Sequence, residues 1–197
     1  METDEKILAK LNTSTEYNTW LVKRDSFIFV RKELPLAQYE TMEAFYSLRS
    51  KISSDFIVNI YNVSATEDLC LIEEEWIAGT TIAEYLDKGL PFSSDETRQY
   101  GIEICRALCW FHIHHMVFRD LKPSNVIISN SGHAVLIDPG ILRLRKPNQN
   151  KDTVILGTPG YAAPEQYSVN SRQGTWTDVY AVCAVIYRVL TGSMPPS

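Results

Sequence analysis

Phe118-Arg119-Asp120-Leu121-Lys122-Pro123-Ser124-Asn125, followed by the shorter Asp138-Pro139-Gly140, is the stretch whose reading decides the fold. It sets Asp120, Lys122, Asn125 and Asp138 at fixed offsets. Moving a phosphoryl group between oxygens needs a group that orients the attacking hydroxyl, and a divalent cation that bridges and neutralises the phosphates. Asp120 suits the first task. Asn125 and Asp138 suit the second as ligands of Mg²⁺, and Lys122 can offset charge building on the moving group.

Two further stretches follow in order. One is Gly157-Thr158-Pro159-Gly160-Tyr161-Ala162-Ala163-Pro164-Glu165-Gln166-Tyr167, and the other is Thr177-Asp178-Val179-Tyr180-Ala181, which opens an apolar run. The first pair of motifs resembles the catalytic and metal loops of protein kinases, H-R-D-x-x-x-x-N then D-F-G, with Phe118 in place of His and Pro139 in place of Phe. The third is similar to the end of a kinase activation segment, A-P-E included, and its Pro-Glu-Gln-Tyr ending is most similar to bacterial Ser/Thr kinases. The fourth is similar to the start of the large buried helix of the kinase C-lobe. The resemblance covers essentially the whole chain. It implies an α+β, bilobal fold with residues 1–197 as one kinase domain. Residues 1–76 would be a small, mainly antiparallel β N-lobe with one helix, and 77–197 a mainly helical, incomplete C-lobe, with ATP and Mg²⁺ in the cleft between them.

Composition agrees with a globular chain: 197 residues, 45% apolar and 22% charged. A net charge of −5 argues against nucleic acid or an anionic membrane surface as a partner. Only Arg143, Arg145, Lys146 and Lys151 make a locally basic stretch, read as a solvated loop or a docking strip for acidic substrate. Cys70, Cys105, Cys109 and Cys183 form no C-x-x-C pair, which fits a reducing cytoplasm, and Cys105 and Cys109 are expected on one buried helix face. Glu2, Asp4, Glu5 and Lys6 break any signal peptide, and no apolar run is long enough to span a bilayer. A kinase C-lobe normally continues for several more helices, so a chain stopping at Ser197 is expected to be truncated, with the apolar face of Val179–Leu190 partly uncovered.

Periodicity supplies the elements. Strands are expected at Ile7–Leu11, Thr19–Lys23, Ser26–Lys32, Ile57–Val63 and Leu69–Trp76, with a helix over Leu36–Ile52. Ala78-Gly79-Thr80 marks a break. Helices are expected over Thr81–Lys88 and from Ser93 or Ser94 to about His115, the latter burying Ile102, Cys105, Leu108, Cys109 and His112. A hairpin joins Val126–Ile128 to Ala134–Ile137, and a last helix spans Thr177–Leu190. His112 is expected to pack in the core, with His114 and His115 at the surface.

The nucleotide side is carried by resemblance. Asn12, Ser14 and Tyr17 stand at the three positions of the family's Gly-rich loop, where glycine would let backbone approach phosphate closely. Phe29-Val30-Arg31-Lys32 resembles V-A-I-K, which would pack Val30 on the base and aim Lys32 at the phosphates, with Glu43, or Glu40 one turn earlier, as its helix partner. Backbone between Glu75 and Ile77 would contact adenine, while Glu74 falls where the family usually has an apolar gatekeeper. Pro139 should bias Ile137 and Asp138 toward extended backbone. Phe118 is expected to fill a spine position. Arg119 either braces the catalytic loop or receives a phosphate on Thr153, and Thr158 is expected to contact Asp120 and Lys122. The reaction implied is transfer of the γ-phosphoryl of ATP to Ser or Thr hydroxyls of a protein. The alternative is a pseudokinase that binds nucleotide or scaffolds partners; a small-molecule kinase stands third.

Overall fold

Two compact units divide the chain, Met1–Ile77 and Ala78–Ser197. The structure, a computed structural model, describes residues 4–11, 17–138, 143–144, 157–168 and 171–196, with backbone alone at 38, 40, 41, 143 and 144. Asn12, Ser14, Pro139, Arg145, Lys146, Lys151, Thr153 and the side chains of Glu40 and Arg143 therefore lie outside the described residues. No helix among the described residues is long and apolar enough to cross a membrane.

In the first unit, runs rich in β-branched and aromatic residues form β1 (Glu5–Lys10), β2 (Asn18–Arg24), β3 (Phe27–Pro35), β4 (Ile60–Ala65) and β5 (Leu69–Glu75). They make one antiparallel sheet in the order β1-β2-β3-β5-β4. Alternation along β3 and β5 sends Val30, Lys32 and Leu34 to the same face as Cys70, Ile72 and Glu74. Helix α1 (Leu36–Arg49) follows β3 and buries Met42, Phe45 and Tyr46. On the opposite face, Phe29 is fully buried because the Arg24 and Arg31 guanidinium groups lie 4.7 and 5.5 Å from its ring centre.

Helix α1 ends three residues short of the expected Ile52, for a specific reason. The buried Arg49 guanidinium donates to the carbonyls of Ile52, Ile57 and Val58 and to Asn59 Oδ1. Burial pushes its pKa down to about 10, which still leaves it charged at neutral pH. Because Arg49 occupies the carbonyls of Ile57 and Val58, the strand expected from Ile57 starts at Ile60.

The second unit begins with β6 (Gly79–Thr81), which the sequence reading treated as a break. It pairs with β8 (Val126–Ser129), which pairs in turn with β9 (Ala134–Leu136). A Cβ at Gly79 would sit 2.2 Å from the Ile128 carbonyl oxygen, so glycine is what permits the pairing. Helices α2 (Ile82–Asp87) and α3 (Ser94–Ile113) both start with reciprocal capping boxes, Thr81 with Glu84 and Ser93 with Glu96. The two-residue strand β7 (Met116–Val117) pairs with β10 (Arg143–Leu144). Helix α4 (Thr175–Thr191) closes at Gly192, whose φ of 68° and amide bond to the Arg188 carbonyl make a left-handed cap.

One helical face differs from expectation. Helix α3 buries Thr97, Tyr100, Gly101, Ile104, Ala107, Leu108 and Phe111, while Ile102, Cys105 and Cys109 are exposed. Both stripes satisfy helical spacing; the one carrying the rings of Tyr100 and Phe111 removes more apolar area from water. On α4, Trp176, Val179, Tyr187 and Leu190 are exposed and Ala181, Val182, Ala184 and Val185 are buried.

The first unit carries a pH-sensitive network. Glu5 accepts hydrogen bonds from Arg31 and Arg24, which hold its pKa down to about 2 from an ordinary 4.5. Burial works to raise Glu73, yet hydrogen bonds from the same two arginines leave it below its ordinary value. A depressed carboxyl stabilises the fold above its unfolded pKa and loses that contribution as pH falls through the folded one. Glu5→Gln should thus lower the melting temperature at pH 7, by an amount on the order of 1 kcal/mol or less for such a part-exposed network. Thermal melts at stepped pH should show the wild-type advantage shrinking between pH 4.5 and about 2. A gap independent of pH would mean that packing, not charge, is what Glu5 contributes.

Candidate active site

Arg119 and Asp138 both adopt left-handed backbone, with φ of 68° and 51°. For residues with a Cβ such conformations cost about 1–3 kcal/mol each, so surrounding bonds must impose them. At Arg119 the imposing group is Asp178, fully buried in the first turn of α4. Its Oδ1 accepts from the Arg119 amide at 2.8 Å, and its Oδ2 accepts from the Phe118 amide at 3.0 Å. His112 Nε2, arriving from α3, bonds the same Oδ2 at 2.7 Å. His112 is therefore an anchor between two helices and the loop, a role that reading it as core packing missed; the signal was an aspartate opening an apolar helix with nothing nearby to satisfy it. Phe118 is fully buried, its ring 5.3 Å from that of Phe111, which is the apolar filling its sequence position suggested.

From that fixed backbone the polar groups follow. The 3₁₀ turn Pro123–Asn125 closes with the Asn125 amide on the Lys122 carbonyl at 2.9 Å. Asn125 Nδ2 donates to the Asp120 carbonyl at 2.8 Å, tying the two ends of the loop. The Asp120 carboxylate accepts from Thr158 Oγ1 on one oxygen and from Lys122 Nζ on the other, both at 2.7 Å. Lys122 Nζ also lies 3.3 Å from Thr158 Oγ1, completing a triangle of carboxylate, ammonium and hydroxyl. The structure thus brings Asp120, Lys122 and Thr158 together.

Thr158 is held by its own segment. Gly157, with φ of 147°, passes so close to Ala162 that an added Cβ would lie 2.4 Å from the Ala162 Cβ. Gln166 is buried and donates from Nε2 to the Arg119 carbonyl at 2.9 Å while its Oε1 accepts from the Ala163 amide. Glu165 accepts from the Thr177 hydroxyl at 2.7 Å. The strained Arg119 is therefore gripped at its amide by Asp178 and at its carbonyl by Gln166.

The two candidate metal ligands lie on neighbouring backbone. The Ile137 amide donates to the Asn125 carbonyl at 2.9 Å, extending the β8–β9 pairing and bringing the residue before Asp138 beside Asn125. With Nδ2 committed to Asp120, the buried Asn125 keeps Oδ1 as its acceptor, 3.4 Å from the Ser124 hydroxyl, and the half-buried Asp138 adds a carboxylate. An amide oxygen and a carboxylate form an oxygen donor set that fits a hard divalent cation. The expectation of extended backbone at Asp138 is corrected by its positive φ: aspartate tolerates the left-handed region better than most residues, and the proline bias gives way.

In the first unit, Val30 and Lys32 are buried on one face. Lys32 Nζ pairs with Glu74 Oε1 at 2.8 Å, and Glu43 is exposed on α1, which corrects the expected Lys32–Glu43 pair; the side chain of Glu40, the alternative helix partner, lies outside the described residues. The β3–β5 pairing makes the Glu74 contact: β5 is the strand beside β3 and carries a carboxylate on the same face as Lys32. The Glu75 amide donates to the Asn59 carbonyl at 2.9 Å and its carboxylate accepts from Asn59 Nδ2 at 2.7 Å. Residues 76–78 then leave the sheet, and Ile77 is buried. Tyr17 is half-buried just before β2.

Replacing Asp178 by Asn keeps the shape and puts an amide group where two backbone N–H donors converge. Losing hydrogen bonds to a buried carboxylate should cost about 3 kcal/mol. Urea unfolding followed by circular dichroism should show a lower midpoint with an unchanged slope. A midpoint equal to wild type would show that the loop does not depend on Asp178.

Comparison with known proteins gives the same picture. The model of the protein kinase domain matches residues 21–197. The cAMP-dependent protein kinase catalytic subunit of Dictyostelium discoideum is 33% identical over 160 residues, 81% of this chain and 24% of that protein. A RAC family serine/threonine-protein kinase homolog of the same organism is 34% identical over 152 residues, 76% of this chain and 34% of its own length. The probable serine/threonine-protein kinase PknB of Lactococcus lactis is 30% identical over 168 residues, 85% of this chain and 26% of its own length. The chain spans about a quarter to a third of the length of these curated relatives. Family match, antiparallel first unit and helical second unit agree, and the chain belongs to the protein kinase family.

Proposed function

We propose that the protein is an ATP-dependent protein serine/threonine kinase, with Asp120 orienting the acceptor hydroxyl. The observation that carries this reading is the Asp120 carboxylate with a hydroxyl on one oxygen and an ammonium on the other, each at 2.7 Å. Asp120 already binds an aliphatic hydroxyl, that of Thr158, at the distance from which a carboxylate accepts a proton. Lys122 sits close enough to both groups to stabilise negative charge developing on a transferred phosphoryl group. Lys122, two residues after Asp120, resembles the Ser/Thr-specific branch, and the relatives' names point the same way.

Asn125 and Asp138 would hold Mg²⁺, which when bound supplies charge neutralisation of the nucleotide phosphates. Lys32 would contact those phosphates, Val30 the base, and backbone between Glu75 and Ile77 the adenine edge. The segment Gly157–Tyr167 would present the protein substrate. A net charge of −5 and free thiols favour a cytoplasmic protein that does not bind nucleic acid.

Asp120→Ala should lower phosphate transfer to a Ser/Thr peptide by about 10²–10⁴-fold while ATP affinity stays near wild type, because the carboxylate acts on the hydroxyl. Transfer at the wild-type rate would remove Asp120 from its role.

Asp138→Asn takes a negative charge from the metal. Calorimetry should show that wild type binds ATP more tightly with Mg²⁺ than with EDTA and that the variant loses most of the difference. Tight binding by wild type without Mg²⁺ dependence or transfer would instead describe a nucleotide-binding scaffold.

A further inference from the structure

Three of the four cysteines stand together in the second unit. Cys105 and Cys109 lie one turn apart on α3 and Cys183 lies on α4, all exposed, while Cys70 is buried in the first unit. The packing of the two helices decides which sulfurs face each other. His112 Nε2 of α3 bonds Asp178 Oδ2 of α4 at 2.7 Å, and a Cβ added at Gly101 of α3 would lie 3.1 Å from Ile186 Cδ1 of α4. Residue numbers rise along α3 as they fall along α4, so the helices run antiparallel between these two contacts. One turn on from Gly101 is Cys105, and one turn back from Ile186 is Cys183, which sets the pair opposite each other across the seam.

A second observation brings the sulfurs close. Partial burial, and then the thiols of Cys109 and Cys183, push the Cys105 thiol above its ordinary pKa. Cys109 is a poor bridge partner for Cys105, because residues four apart on a helix keep their Cβ atoms about 5–6 Å apart. A disulfide needs roughly 3.5–4.5 Å between them. Among the described residues no group of three cysteine, histidine or acidic side chains is arranged to hold a metal ion, so the cluster is read for its thiol chemistry.

We propose that Cys105 and Cys183 are a peroxide-sensitive dithiol that closes into a reversible disulfide across the α3–α4 seam. The oxidant is hydrogen peroxide. One thiolate attacks a peroxide oxygen, forming an S–O bond and breaking the O–O bond; the product is a sulfenic acid, and the departing hydroxide takes the thiol's proton to become water. The second sulfur then attacks the sulfenic sulfur, forming S–S and releasing the hydroxyl as water with the second thiol's proton. Two thiols are oxidised, one peroxide is reduced to two waters, and a dithiol reductant reverses the change. The bridge ties α4 to α3 along the seam that also carries the His112–Asp178 bond, so it fixes the two helices that anchor the catalytic loop. A cross-link between positions so far apart in the chain restricts the unfolded state and raises stability. The proposal does not depend on the kinase reading.

The test treats reduced protein with one equivalent of hydrogen peroxide at mildly alkaline pH, where the raised Cys105 thiol ionises more, then alkylates and digests it without reductant. Titration of the unfolded protein should fall from four thiols to two, and dithiothreitol should restore all four. Mass spectrometry should find the Cys105 peptide joined to the Cys183 peptide. Urea unfolding should show a higher midpoint for oxidised than for reduced wild type. Cys109→Ser should bridge as wild type does, whereas Cys105→Ser and Cys183→Ser should lose both the bridge and the midpoint shift. A Cys105–Cys109 bridge, a bridge only between molecules, sulfinic acid without a bridge, no loss of thiols, or a midpoint unmoved or lowered in bridged wild type would overturn the proposal.

Discussion

A buried carboxylate must be surrounded by donors or it will not stay buried, and Asp178 meets that demand by recruiting the backbone of the catalytic loop. The amides of Phe118 and Arg119 can both reach it only if the chain turns sharply between them, and the turn leaves Arg119 with positive φ. Asp120 is the next residue, so its direction is inherited from that turn. Its carbonyl meets Asn125 Nδ2, and its carboxylate meets Lys122 and Thr158. Asp178 in turn is fixed because α4 packs Ala181, Val182, Ala184 and Val185 into the core. Apolar burial on one helix is thereby converted into the placement of a carboxylate on a loop.

The same logic recurs wherever charge is buried, with a different solution each time. Arg49 satisfies its guanidinium with main-chain carbonyls and so shapes the segment between α1 and β4. Lys32 takes a carboxylate from the neighbouring strand. Glu103, buried on α3, accepts from the Ala134 amide at 2.7 Å and from His133 at 2.9 Å, which pins β9 to the helix. The partners named for these groups come from within the same unit.

Elements whose cause is local were legible in the sequence. The Ser93–Glu96 capping box marks the start of α3 within a residue, and the Gly192 stop marks the end of α4. The catalytic loop was legible because its offsets are dictated by one short turn, and the Thr158 contact because its motif sits at a fixed distance from that loop. What was not legible depended on partners far along the chain. β6 exists because β8 offers it an edge; its three residues have no strand signature of their own. The late start of β4 is decided by Arg49, and the Lys32–Glu74 contact by a strand register that brings Glu74 across. The exposed stripe of α3 was misread because two stripes fit the same helical period and only the packing against α4 and β9 chooses between them.

Phe118 shows how a departure from a family pattern can leave the anchoring of the loop intact. The position exchanges a polar ring for an apolar one, which removes a possible hydrogen-bonding group from the middle of the core. Burying the phenyl ring against Phe111 contributes about 1.5–3 kcal/mol. The polar work is carried elsewhere: His112, one helix away, supplies the ring nitrogen that Asp178 accepts. The loop is therefore anchored by its amides, by His112 and by Gln166 from the Ala-Pro-Glu-Gln segment, with no polar side chain needed at position 118. What the loop requires is three well-placed bonds around Arg119 and an apolar ring behind it, and residues from α3, α4 and the segment after Gly157 meet that requirement jointly.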